Sequence, residues 1–371
     1  MNMRKKDKRR IAQQIRIRAA LRAIRRHIPK GSNSPRLKAK RIQESIANVP
    51  RVPRRIQRNF NKTTIKKINK QIIIAPCDFR LISNREKCLD FFEKIRNFEF
   101  ANIPQRRKFV RISLKRVQQI DYAAISILTA ISEDLKSKNI FISGDFPENA
   151  TCKQFLFDSG FLNKMFDKHN RPFPRSEKSD VIFFETGCGT LSESDNMKIS
   201  SLVRNVVGHL TGIPKHNPSI KTIILEICGN SIEWSGTNNK QWLLGVMYEE
   251  KKVIFTVVDI GKGILETLYR KFGKRAADFI TLKTEADVLM GAYNKKYGSN
   301  TQQVNRNKGL PSVKASFQDG KINNLIVMTN NVILHFADQE KTTTFAENSP
   351  CFKGTFYQWE MDVNCVKLLN S

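Results

Sequence analysis

The chain has 371 residues, with 65 Lys and Arg against 34 Asp and Glu for a net charge of +31, 40% hydrophobic residues and 24 Phe. That is enough for two compact domains and a tail, but no apolar run reaches the roughly 18 residues of a membrane span and no charged-then-apolar leader marks secretion. The seven cysteines are odd in number and never form CxxC, and the five histidines form no HxxxH or HExxH pattern, which argues for reduced thiols in a cytoplasmic protein and against a zinc site built from His and Cys.

The charge sits mainly at the start. Residues 1–70 hold 24 Lys and Arg against Asp7 and Glu44, whereas the other 301 residues carry 41 basic and 32 acidic groups. From Lys8 to about His27 the spacing of Ile17, Leu21, Ile24 and Ile28 predicts an Arg-rich helix with one apolar stripe. "KGSNSP" and "NVPRVPRR" then bring Gly and Pro breakers and an extended or disordered reading. A segment this poor in acids suits nucleic-acid phosphates through counterion release. It equally suits an anionic membrane surface, an acidic protein partner, or no specific ligand at all. An organellar transit peptide has a similar composition with more Ser.

A second composition begins near Gln71. "QIIIAP", "KFVRISL" and "NIFISGDFP" read as strands, separated by helices over "SNREKCLDFFEKIRNF" and "DYAAISILTAISEDLKSK", with a last helix over "ATCKQFLFDSGFLNKMF" ending near Asp167. Alternating strands and helices predict an α/β domain over 71–168. A charged, Pro-bearing linker is expected over 169–184 and a third region over 185–371. The third region reads as helices at about 193–211 and 218–234, strands in "QWLLGVMYEEKKVIFTVVDIG", a helical and polar stretch over 263–320, and closing strands in "NLIVMTNNVILHF" and "GTFYQWEMD". Two helices feeding a mostly antiparallel sheet predict a two-layer α+β sandwich.

Four short pieces of this third region carry chemistry. In "IILEICGNSIEW", Glu226 and Asn230 lie four apart and project from one side of a helix. Glu226 is suited to orienting or deprotonating a nucleophile, and the amide oxygen of Asn230 suits Mg²⁺ beside phosphate oxygens. In "VVDIGKGI", Asp259 ends a β-run, where a carboxylate can accept from an exocyclic amine and so select adenine over guanine; Gly261 and Gly263 let the backbone approach a flat base, ahead of Ile264. In "NKGLPSVK", Gly309 and Leu310 open a helix whose bare N–H groups favour phosphate, with Arg306 and Lys308 beside them. In "KGTFYQWEM", Gly354 and Thr355 begin the last strand and offer a hydroxyl to the base edge.

In order and in strand–helix context these pieces resemble the ATPase superfamily shared by DNA gyrase, heat-shock protein 90, histidine kinases and mismatch-repair MutL proteins. Within it the likeness is to anti-sigma-factor serine kinases and related histidine-kinase-like ATPases. The resemblance covers about 185–371. It assigns Glu226 as the catalytic base, Asn230 as the magnesium ligand, and Asp259, Gly261, Gly263, Ile264, Lys308, Gly309, Leu310, Gly354 and Thr355 to ATP. Two positions depart from the family pattern: Trp234 stands where a His is usual, and Asn307 replaces the first glycine of the third box, which bears on hydrolysis rate more than on binding. The stretch 286–307 resembles the lid that closes over phosphates.

The middle domain resembles STAS domains, the anti-sigma-factor antagonist fold, through "ISLKRVQQIDYAAISILTAI" and the Ser-Gly pair of "FLFDSGFLNKMF". Tyr122 and Ala123 occupy the places where phosphorylatable members carry a Ser, which implies a docking or dimerising module rather than a phosphoswitch. "GHLTGIP" imitates the phosphoacceptor box of sensor kinases, but only 16 residues separate His209 from Glu226, too few for the helical hairpin those kinases use. The resemblance thus implies a Mg-dependent ATPase or serine-kinase-like regulator of a protein partner. The alternatives are a nucleic-acid-associated ATPase and an ATP-binding scaffold without turnover.

Overall fold

The computed structural model describes residues 72–98, 108–186, 193–234, 240–272, 284–294 and 309–369, with backbone only at 183–186, 230–234, 240–242 and 271–272. The readings made for residues 1–70 lie outside the described residues. The fold is mixed α/β.

In the N-terminal part, β1 (Ile72–Ile74), β3 (Lys108–Ser113) and β5 (Ile140–Asp145) form a parallel sheet in the order β1-β3-β5. β2 (Asp78–Phe79) and β4 (Gln119–Ile120) make a second short parallel pair. Parallel neighbours need crossovers, supplied here by α1 (Arg85–Arg96) and α2 (Tyr122–Ser137). α1 buries Cys88, Leu89, Phe91, Phe92 and Ile95 along one side. α2 is capped by Asp121, whose carboxylate accepts from the Ala124 N–H at 2.7 Å and the Leu81 N–H at 2.9 Å. Eleven of its 16 residues are buried, the mark of a helix enclosed on all sides. α3 (Ala150–Asp158) stops well before Asp167, because Ser159 is followed by Gly160 at φ +78°, and the chain leaves through a 3₁₀ turn at Phe161–Lys164.

The second sheet is antiparallel and seven-stranded: β6 (Ser179–Thr186), β7 (Lys240–Tyr248), β8 (Lys252–Asp259), β9 (Asn323–Asn330), β10 (Val332–His335), β11 (Thr343–Thr344) and β12 (Phe352–Asp362). Its order is β11-β10-β9-β12-β8-β7-β6. β6 therefore starts at Ser179, inside the stretch read as linker. Among the described residues the helices of this part are α4 (Glu193–Thr211), α5 (Pro218–Trp234), α6 (Ile264–Phe272), α7 (Glu285–Tyr293), α8 (Gly309–Gln318) and α9 (Val363–Leu368).

Side-chain alternation assigns the two faces of this sheet. Val253, Phe255 and Val257 of β8 and Tyr357, Trp359 and Met361 of β12 share a core with α4 to α9. The Phe255 and Trp359 rings, opposite each other in register, stack at 4.9 Å. On the other face, Leu243, Val258, Met328, Ile333 and Phe356 share a core with α1 and α2. The buried hydroxyls of Ser126 on α2 and Thr256 on β8 lie 2.8 Å apart across that contact. The sheet is thus covered on both sides, and Lys62–Ser371 forms one compact unit. No helix among the described residues is long and apolar enough to cross a membrane.

Candidate functional site

At one end of the sheet the apolar alternation of three strands is interrupted together. Asp259 of β8 stands opposite Thr355 of β12, and Thr355 stands opposite Thr329 of β9. By parity all three belong to the face covered by the helices, as do Val257, Tyr357 and Val327 two residues away. All three are buried. A row of buried polar side chains must be hydrogen-bonded or costs free energy, and this row is only half satisfied. Asp259 Oδ1 accepts from the Gly261 N–H at 2.8 Å. Thr329 Oγ1 accepts from the Ile264 N–H and donates to the Gly354 carbonyl, both at 2.9 Å. Asp259 Oδ2 and Thr355 Oγ1 have no hydrogen-bond partner of normal geometry among the described residues.

Burial dominates the electrostatics of Asp259 and pushes its pKa up to about 7, against the opposing pull of the Gly261 N–H, Thr355 and the Arg96 charge. The carboxyl is thus poised near neutrality.

The loop after β8 is built to pass close beneath this row. Gly263, at φ +86°, leads into α6, and a Cβ there would come within 2.6 Å of Thr329 Oγ1. Asn330 Nδ2 ties the loop to β9 by donating to the Lys262 carbonyl at 2.8 Å. Gly354, at φ +143°, lies against the Asp259 carbonyl so closely that any Cβ would collide with it. The pairing of β12 with β9 skips between Phe352 and Thr355, so Lys353 and Gly354 form a bulge. Side chains take both bulge carbonyls: Thr329 holds Gly354, and Arg96 at the end of α1 donates to Lys353 at 2.7 Å.

Asp259, Gly261, Gly263, Ile264, Gly354 and Thr355 are therefore brought together. Glu226 is half-buried on α5, which packs on β8, and α8, opened by Gly309 and the buried Leu310, packs along α5. Asn230 lies one turn beyond Glu226 on α5, but its side chain falls outside the described residues, as do Arg306, Asn307 and Lys308. Of the stretch read as a lid, the first part is the core helix α7, with Val288, Leu289, Ala292 and Tyr293 buried and a Thr284–Asp287 capping box. Residues 295–308 are outside the described residues. His209 is exposed at the end of α4 and bonds the Glu249 carbonyl at 2.6 Å, a tie to the β7–β8 turn. Tyr122 and Ala123 are buried at the start of α2.

Comparison with protein-family models, with curated proteins and with solved structures finds no match for this chain. The residues that the motifs did not point to are Thr329, Asn330 and Arg96. The first two carried a signal in "MTNN", polar residues ending an apolar strand at a turn where Asn330 adopts φ +53°. Arg96 carried none.

Proposed function

We propose that residues 185–371 form a histidine-kinase-like ATP-binding domain and that the chain is an ATP-dependent regulatory protein acting on a protein partner, as a Mg-dependent ATPase or a serine-kinase-like enzyme. In this reading the part over 71–168 is a STAS-like module held in cis. The observation that carries the proposal is the pair Asp259 Oδ2 and Thr355 Oγ1, buried opposite each other on the face covered by α4 to α9, with no partner of normal hydrogen-bond geometry among the described residues. An acceptor next to a hydroxyl, beside the loop that carries Gly261 and Gly263, complements the amine-and-ring-nitrogen edge of adenine. Guanine presents a carbonyl to the carboxylate instead. The fit for the phosphate end is the packing of α8, with Gly309 at its N-terminus, along the helix that carries Glu226 and Asn230. Asn230 would hold magnesium, Lys308 would meet phosphate, and Glu226 would orient the attacking group.

Calorimetric titration with ATP and GTP tests the proposal. Wild type is expected to bind ATP in preference to GTP. Asp259→Asn replaces an acceptor with a donor and should weaken ATP binding by about ten- to a hundredfold, the range for losing a hydrogen bond to a charged group. Unaltered ATP affinity in that variant sinks the reading.

A further inference from the structure

Two groups from different parts of the chain hold the bulge beside Asp259, and one of them is an arginine from the N-terminal α/β layer. Bulge backbone is excluded from the ladder, so its polar groups need other partners. The Lys353 carbonyl finds its partner in Arg96 Nη1 at 2.7 Å. Next to this bond lies a cleft of about 170 Å³ walled by Phe92 and Arg96 from α1, Asp134 from α2, and Ile260, Cys351 and Lys353 from the sheet part. The following residue, Gly354, is wedged against the Asp259 carbonyl, and the next is Thr355 itself. A chain of three residues therefore connects an α1 side chain to the Thr355 hydroxyl opposite Asp259. The other end of α1 makes a different contact, with the Arg85 guanidinium 5.3 Å from the centre of the Phe345 ring between β11 and β12.

We propose that Arg96 is a positioning residue for nucleotide: by holding the Lys353 carbonyl it sets the bulge that aims Thr355 beside Asp259, so that nucleotide affinity depends on how α1 is seated. This rests on the nucleotide reading given above. Arg96 also acts through charge. Burial pulls the Arg96 pKa down, and the charges of Asp134 on α2, Asp259 on β8, Cys351 before β12 and Glu93 on α1 oppose it. Asp259 feels Arg96 as its favourable charge, and Tyr357 is the further titratable neighbour on β12.

The test uses the full-length chain carrying Arg96→Met, Arg96→Lys or Arg85→Met, with ATP affinity measured by calorimetry from pH 6 to pH 8.5 and urea unfolding measured in parallel. Arg96→Met should lose about tenfold in ATP affinity, the scale of one charge-assisted hydrogen bond. The midpoint of its affinity–pH profile should move upward, because Asp259 loses the charge that favours its ionised form. Arg96→Lys keeps the charge and should restore the midpoint. Arg85→Met should leave affinity unchanged even where it lowers the unfolding midpoint. A purely structural role for Arg96 would lower the unfolding midpoint and leave both the pH profile and the affinity where they were, and that result overturns the proposal. If Asp259→Asn abolishes binding while Arg96→Met and Arg96→Lys bind as wild type, only this inference falls. If wild type binds no nucleotide, both fall.

Discussion

Asp259→Asn is expected to make the nucleotide-free protein more stable at alkaline pH, and the size follows from the burial of the carboxyl. In the folded chain its pKa is pushed up to about 7 from an ordinary value of 3.8. A carboxyl raised on folding binds its proton more tightly in the native state, so its contribution is favourable below the unfolded value and is lost as pH rises toward the folded one. At about 1.4 kcal/mol per unit, the full loss by pH 8 is on the order of 4 kcal/mol, and the part falling between pH 5 and pH 8 is roughly 3 kcal/mol. The amide keeps an oxygen for the Gly261 N–H and has no charge to bury. Urea unfolding of wild type and Asp259→Asn without nucleotide, at pH 5 and pH 8, isolates this residue because other titrating groups, including Asp121 at about 6, contribute to both proteins. The stability difference should swing toward the variant by roughly 3 kcal/mol across that interval. A difference constant with pH would refute the claim that Asp259 is buried without adequate partners, and with it the physical basis for a ligand there.

Three further outcomes are expected. Gly354→Ala places a Cβ against the Asp259 carbonyl at a φ that L-residues rarely adopt, and should cost at least ~2 kcal/mol in urea unfolding; a loss under ~0.5 kcal/mol would mean that the bulge relaxes freely. Glu226→Ala should retain ATP affinity within about threefold while magnesium-dependent phosphate release drops by about a hundredfold or more, the scale of a lost general base; wild type without any turnover would favour a binding-only scaffold. Deleting residues 1–70, which carry 24 Lys and Arg, should flatten the salt dependence of DNA affinity measured by fluorescence anisotropy. A slope already shallow in the intact chain would end the nucleic-acid reading of that segment.

Local punctuation made much of the fold legible. α4 and α5 fall at the residues read for them, since Gly212 at φ +78° closes the first and Pro218 opens the second. Asp259 showed itself by ending an apolar run, but its pairing with Thr355 did not, because β8 and much of β12 are buried on both faces and carry no alternation that sets a register. The boundary at β6 was hidden because Ser179 and Asp180 look like linker, although Ser179 is buried and Asp180 accepts from the Tyr248 hydroxyl at 2.7 Å. α2 reads plainly as a buried helix, but nothing local says that its second neighbour is a sheet formed more than a hundred residues later: Ser126 meets Thr256 at a separation of 130. Arg96 and Lys353 are 257 residues apart, and a lone Arg ending an amphipathic helix has no pattern that names a distant carbonyl.

The enclosure of α2 between two sheets bears on how this chain can be handled and inherited. Cutting at residue 169 would strand Leu243, Val258, Met328 and Phe356 in water on one fragment and most of α2 on the other. Both pieces would then present broad greasy surfaces prone to self-association. Melting should accordingly appear as a single endotherm rather than two, and grafting the C-terminal half onto a foreign partner would require redesigning an entire flank of its sheet.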